Sequence, residues 1–125
     1  MAKTILVVDD SVSLRRVVAL ALSNAGYEVI EAGDGVDGLA ALEKQGSKKV
    51  HLIISDVNMP RMDGIEFVTQ LKQKNAFKFT PVIMLTTEGD DEVKHAGRAA
   101  GAKAWIIKPF NPAQMLNAVT KLILP

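Results

Sequence analysis

The chain has 125 residues, a length that suits one compact domain. Hydrophobic content of 48%, charged content of 23% and a formal net charge of +1 give no bulk attraction to nucleic acid or to an acidic membrane. Cysteine is absent, which excludes thiol chemistry, and the first apolar run stops at Asp9, too early for an export signal.

No stretch approaches the ~20 apolar residues of a membrane span. The cytoplasm is therefore the expected compartment. The tightest lysine cluster, Lys48-Lys49, reads as a solvated loop.

The pattern alternates strand and helix five times. The first strand is Thr4–Val8, a β-branched run of the kind found in buried parallel sheets. A helix follows from about Ser11 to Asn24, with Leu14, Val17, Val18, Ala21, Leu22 and Ala25 at helical spacing. Gly26 is expected to end it in the left-handed region. The second strand, Tyr27–Ala32, interleaves Glu28 and Glu31 and reads as a less buried edge. Asp34 is placed to cap the second helix, Gly35–Gln45, which Gly35 and Gly38 weaken by propensity.

The third strand is Leu52–Asp56, and the third helix spans about Gly64–Lys74 after a Met59-Pro60-Arg61-Met62-Asp63 loop. The fourth strand is Val82–Thr86. The fourth helix, about Asp91 to Ala100, is expected to carry Asp90, Asp91 and Glu92 at its positive end and Arg98 near its negative end. Gly101 stops it. The fifth strand is Lys103–Ile107. The last helix takes Asn111 as cap and Pro112 at its first position, and runs to near Leu124. The expectation is an α/β fold: a doubly wound five-stranded parallel sheet, strand order 2-1-3-4-5, with helices on both faces and one domain over residues 1–125.

In such sheets ligands bind beyond the carboxyl ends of the strands. Asp9-Asp10, Asp56, Thr86 and Lys108 each end an apolar run, so the topology gathers them at one edge. An Asp-Asp pair alone more often caps a helix, and Ser11 shares that position here. Thr86 alone is an ordinary strand terminator. Together they say more, because three carboxylates within a few Å repel one another unless a cation neutralises them. Oxygen ligands without His or Cys favour Mg²⁺, with Mn²⁺ as the alternative. Asp10 and Asp56 fit direct ligands, with Asp9 contacting the metal through water. Asp56, alone at the central strand end, is the best nucleophile for an aspartyl-phosphate. Lys108 and Thr86 are placed to stabilise charge on transferred phosphoryl oxygens.

The chain resembles response-regulator receiver domains, and among them the single-domain chemotaxis regulators. The matching segments are Val7-Val8-Asp9-Asp10-Ser11, Ile54-Ser55-Asp56-Val57-Asn58-Met59-Pro60, Met62-Asp63-Gly64, Leu85-Thr86-Thr87 and Lys108-Pro109-Phe110. They touch every strand end except the second. The resemblance implies a flavodoxin-like (βα)5 fold and a monomeric signalling switch, not an enzyme acting on other substrates. Asp56 would accept phosphate from a histidine kinase of the CheA type. Asp9, Asp10, Asp56 and the Asn58 carbonyl would serve the metal, and the bond to Pro109 would be cis. Thr86 and Trp105 would form the switch, with Trp where many relatives carry Tyr. Thr87 would narrow access to the site, and Asn58 and Glu88 would lie where the family tunes hydrolysis. The implied partners are the kinase, a phosphatase and the flagellar motor switch. A phosphate sink or a non-flagellar chemosensory receiver is the alternative. Adjacent Asp9 and Asp10 argue against an aspartyl phosphatase, which spaces that pair by one residue. The Asp-Asp-Ser-Val-Ser-Leu segment argues against a flavin-phosphate loop.

Overall fold

A computed structural model describes residues 2–46, 48–87 and 91–123, the side chains of residues 91–93 excepted. The strands are β1 (Thr4–Val8), β2 (Glu28–Ala32), β3 (Leu52–Asp56), β4 (Val82–Thr86) and β5 (Ala104–Ile107). The helices are α1 (Val12–Asn24), α2 (Gly35–Gln45), α3 (Gly64–Lys72), α4 (Asp91–Ala100) and α5 (Pro112–Leu122). All neighbouring strands pair in parallel, in the order β2-β1-β3-β4-β5.

Burial explains why the central strands read as unbroken apolar runs. In β3 and β4 every residue is buried, because helices cover both faces. Leu6, Val8, Ile53 and Met84 point to one face, where they meet Leu42 of α2, Phe67, Val68 and Leu71 of α3, and Ala100 of α4. Ile5, Val7, Leu52, Ile54, Ile83 and Leu85 point to the other, against Val18 and Leu22 of α1 and Met115 and Val119 of α5. The edge strand β2 keeps Glu28 and Glu31 exposed, as its alternation predicts.

The caps follow their side chains. Ser11, Asp34, Asp63 and Asn111 each accept a backbone N–H three residues on, opening α1, α2, α3 and α5. Gly26 has φ 97 after α1, as its position requires.

The differences have physical causes. Ser11 is a cap outside α1, not its first residue. Val17 of α1 is exposed, because the covered side of that helix is centred on Val18, Ala19 and Leu22. Strands β2 and β5 each begin one residue late. Helix α3 ends at Lys72, and a 3₁₀ turn, Asn75–Phe77, follows. The Lys72 ammonium donates to the carbonyl oxygens of Phe77, Lys78 and Thr80, holding that turn against the sheet. The two glycines of α2 are packing requirements. A Cβ on Gly35 would lie 2.8 Å from Met62, and one on Gly38 would lie 2.9 Å from Phe67. Helix α5 ends at Leu122, short of the expected Leu124, because Ile123 turns extended. The expected acids Asp90, Asp91 and Glu92 and residue Glu88 lie outside the described residues or side chains. Among the described residues no helix is long and apolar enough to cross a membrane.

Candidate functional site

The sheet register brings the strand ends together. Val8 pairs with Ser55, Asp56 with Leu85, and Thr86 with Ile107. Asp9 therefore leaves β1 beside Asp56, and Lys108 leaves β5 beyond Thr86. Carboxylate oxygens of Asp9, Asp10 and Asp56 lie within 4.8 Å of one another.

Asp9 is fully buried and both its oxygens are engaged. Oδ1 accepts the Ser11 N–H at 2.9 Å, and Oδ2 lies 3.4 Å from the Lys108 ammonium. Asp10 is exposed. Asp56 is buried; its Oδ1 accepts the Val57 N–H at 2.9 Å and lies 3.3 Å from Lys108 Nζ. Burial, and secondly the negative charge of Asp9, push the Asp56 carboxyl up to about 6, with Lys108 opposing the rise. Near neutral pH Asp56 is mostly ionised, yet held at an energetic cost that a cation would relieve. All three ligand side chains are hard oxygen donors, so the pocket fits Mg²⁺ or Mn²⁺.

The remaining expected residues cluster here with different exposure. Thr86 is fully buried at the end of β4, and its carbonyl accepts the Lys108 N–H at 2.7 Å. The Lys108–Pro109 bond is cis. Asn58 and Thr87 are exposed. Trp105 pairs with Met84 in the sheet and packs against α4, where only the missing side chain of Gly97 leaves room for the indole ring. Its indole nitrogen is buried with no hydrogen-bond partner among the described residues.

Three features around the pocket owe their roles to contacts that the sequence pattern does not show. Gly64 must lack a side chain, since a Cβ there would overlap the Asp56 carbonyl oxygen. Glycine at position 64 is thus a contact requirement of the Asp56 backbone. Arg15 donates to the Asp9 carbonyl at 2.7 Å and to Glu31 at 3.0 Å. Arg61 reaches Asp34 at 2.7 and 3.1 Å and Asp37 at 2.8 Å. No local signal announces such pairings, whose partners lie 6 to 27 residues apart in the chain.

The sequence profile of the family described as "Response regulator receiver domain" matches residues 5–120. Chemotaxis protein CheY1 of Helicobacter pylori is 40% identical over 121 residues, covering 96% of this chain and 95% of that protein. The structure of the chemotaxis response regulator CheY4 of Vibrio cholerae superposes with a TM-score of 0.90 at 44% identity, over 98% of this chain and 99% of that one. The CheX–CheY–BeF3–Mg²⁺ complex of Borrelia burgdorferi superposes with a TM-score of 0.89 at 26% identity, over 98% and 90%.

Proposed function

Because this chain belongs to the response-regulator receiver family and is of the CheY type, we propose that it is a phosphorylation-activated chemotaxis switch with Asp56 as the phosphate acceptor. The observation that carries this reading is the pocket itself: a buried carboxylate of raised pKa, two further carboxylates within 4.8 Å, and one lysine serving two of the three.

A kinase phosphohistidine is the donor. An Asp56 carboxylate oxygen attacks the phosphorus, the P–N bond breaks, and the imidazole leaves with its electron pair and takes up a proton. Asp10 and Asp56 would hold Mg²⁺, with the Asn58 carbonyl as a further ligand and Asp9 contributing through water. Exposed Asp10 has room for a ligand bond, whereas both Asp9 oxygens already have partners. Bound there, Mg²⁺ supplies charge neutralisation for the acids and for the phosphoryl oxygens. Lys108 sits between Asp9 and Asp56 and is placed to turn its ammonium to the phosphoryl group.

The new phosphoryl group carries close to two negative charges. The Thr86 hydroxyl donates to it. Trp105 responds, because its ring rests on α4 at Gly97. Its indole N–H is buried with no hydrogen-bond partner among the described residues, so the present position leaves a donor unsatisfied that an inward turn could satisfy. The reshaped α4-β5-α5 face then binds a partner such as the flagellar motor switch.

Acetyl phosphate with Mg²⁺ tests this. One phosphoryl group should add to the wild-type chain and none to Asp56→Asn; equal labelling of the mutant would remove Asp56 from its role. Capture of a motor-switch component only by the beryllofluoride-treated form separates a motor regulator from a phosphate sink.

A further inference from the structure

Four of the five strand ends contribute a residue to the pocket; the end of β2 contributes none. Yet the corner between β2 and α2, residues 31–37, receives both arginines that touch the pocket's walls. Arg15, on the first turn of α1, is only 14% exposed. It ties the carbonyl of Asp9 to Glu31. Arg61, in the loop between Asp56 and α3, grips Asp34 with two parallel bonds and Asp37 with a third. The Asp34 side chain is 6% exposed and also caps α2, so this is no casual surface pair. Gly33 lies between the two grips: a Cβ there would sit 3.6 Å from Asp37 Oδ2 and 3.7 Å from Arg15 Nη1.

Arg61 is also the single non-glycine residue with positive φ among the described residues, at 63°. The Met62 N–H closes on the Pro60 carbonyl at 2.6 Å, making a three-residue γ-turn of the rare, strained hand. Such a conformation persists when surrounding contacts over-determine it. Here those contacts are the Arg61 grip and the Gly35 N–H donating to the Met62 carbonyl at 3.3 Å.

We propose that the β2–α2 corner is the common abutment of the acidic pocket, and that Arg15 and Arg61 are positioning residues that hold the Asp9–Asp10 wall and the Asp56–Asn58 wall at the separation a divalent cation needs. This rests on the reading of the pocket as a Mg²⁺ site. Neither arginine touches the cation. Each fixes the backbone from which its ligands project, as outer partners do in other metal sites.

The test is Mg²⁺ affinity by calorimetry on the full chain, beside the melting temperature without metal. Arg61→Gln and Arg15→Met should each weaken Mg²⁺ binding about 10-fold, the lower end of the range for outer-partner substitutions. Arg61→Lys should recover part of the loss. Asp34→Asn combined with Arg61→Gln should bind no worse than Arg61→Gln alone, because one grip is lost in both. Arg61→Gly separates strain from grip, since glycine adopts the turn freely; it should bind as weakly as Arg61→Gln. Unchanged Mg²⁺ affinity in Arg61→Gln and Arg61→Gly, with only a lowered melting temperature, would overturn the proposal and leave the arginines as ordinary stabilising contacts. Should Asp34→Asn fail to fold, the Arg61 variants still decide, because that side chain is 55% exposed. A wild-type chain that binds no Mg²⁺ would overturn the site reading and this proposal together.

Discussion

The two ends of the sheet carry opposite charge and obey different rules. At the amino end a groove of about 620 Å³ is lined by Lys49, Lys103, Lys121, His51 and Phe79 among others. Its polar groups make ordinary backbone and helix-end contacts. Lys121 sits in the last turn of α5, where the helix dipole favours cations. His51 accepts the Thr4 N–H through Nδ1 at 3.0 Å. At the carboxyl end the charges disturb one another. Asp56 is pushed up by burial and by Asp9, Arg61 holds a left-handed turn, and backbone approaches leave no space for a Cβ at Gly64. The raised carboxylate, the left-handed non-glycine turn and the backbone approach that excludes a Cβ all lie at the carboxyl end, where the proposed phosphoryl chemistry would take place.

The largest break in that contrast should come from glycine. Gly64→Ala forces a Cβ into the Asp56 carbonyl and should cost about 3 kcal/mol or more, or abolish folding. Gly46→Ala, at the amino end, meets nothing within 4 Å and carries only its φ of 57°. With ψ at −118°, outside the left-handed helical well, it should cost about 2 kcal/mol. Comparable melting temperatures for the two would contradict the close approach at Gly64.

Gly97→Ala is next, at about 2 kcal/mol, since its Cβ would overlap the Trp105 ring. Trp105 is the chain's one tryptophan, so a changed emission maximum reads the displaced ring directly. An unaltered spectrum would mean that α4 gives way in place of the indole.

The two ends should also answer pH with opposite sign. Asp56 is raised from the ordinary 3.8 to about 6, so between these values the folded chain binds more protons than the unfolded. Its contribution makes the metal-free protein lose stability as pH rises from about 4 to about 6, by about 1 kcal/mol after screening. Burial, then the nearby Lys49 and Lys3, lower His51 below 6.5, so its contribution is lost as pH falls below that value. Asp56→Asn should remove the first limb and His51→Gln the second, in denaturant melts across pH 4 to 8. If Asp56→Asn leaves the profile unchanged, the pocket does not strain its own carboxylate.

The smallest effect belongs to the exposed amino-end lysine Lys103. Lys103→Ala should shift stability by less than about 0.5 kcal/mol and leave acetyl phosphate labelling at the wild-type rate. A slowed rate would tie the two ends together.

Much of this was legible before any coordinates. The β-branched runs, their spacing and the parallel-sheet rule place Asp9, Asp10, Asp56, Thr86 and Lys108 at one edge, because period and crossover handedness leave few topologies open. Caps at Asp34 and Asn111 were readable for the same reason: a short polar side chain before an apolar helical pattern has one obvious N–H to bind. What the tertiary structure alone decided depends on distance in sequence. Gly35 and Gly38 read as weaknesses of a helix until Met62 and Phe67 arrive against them. Val17 reads as core until packing turns it outward. Arg15 and Arg61 gain a role only when the β2–α2 corner, which carries no motif residue, meets them both. Local chemistry and periodicity are written in the order of residues. Close approach, burial energy and long-range ion pairs exist only once distant segments share the same few ångströms.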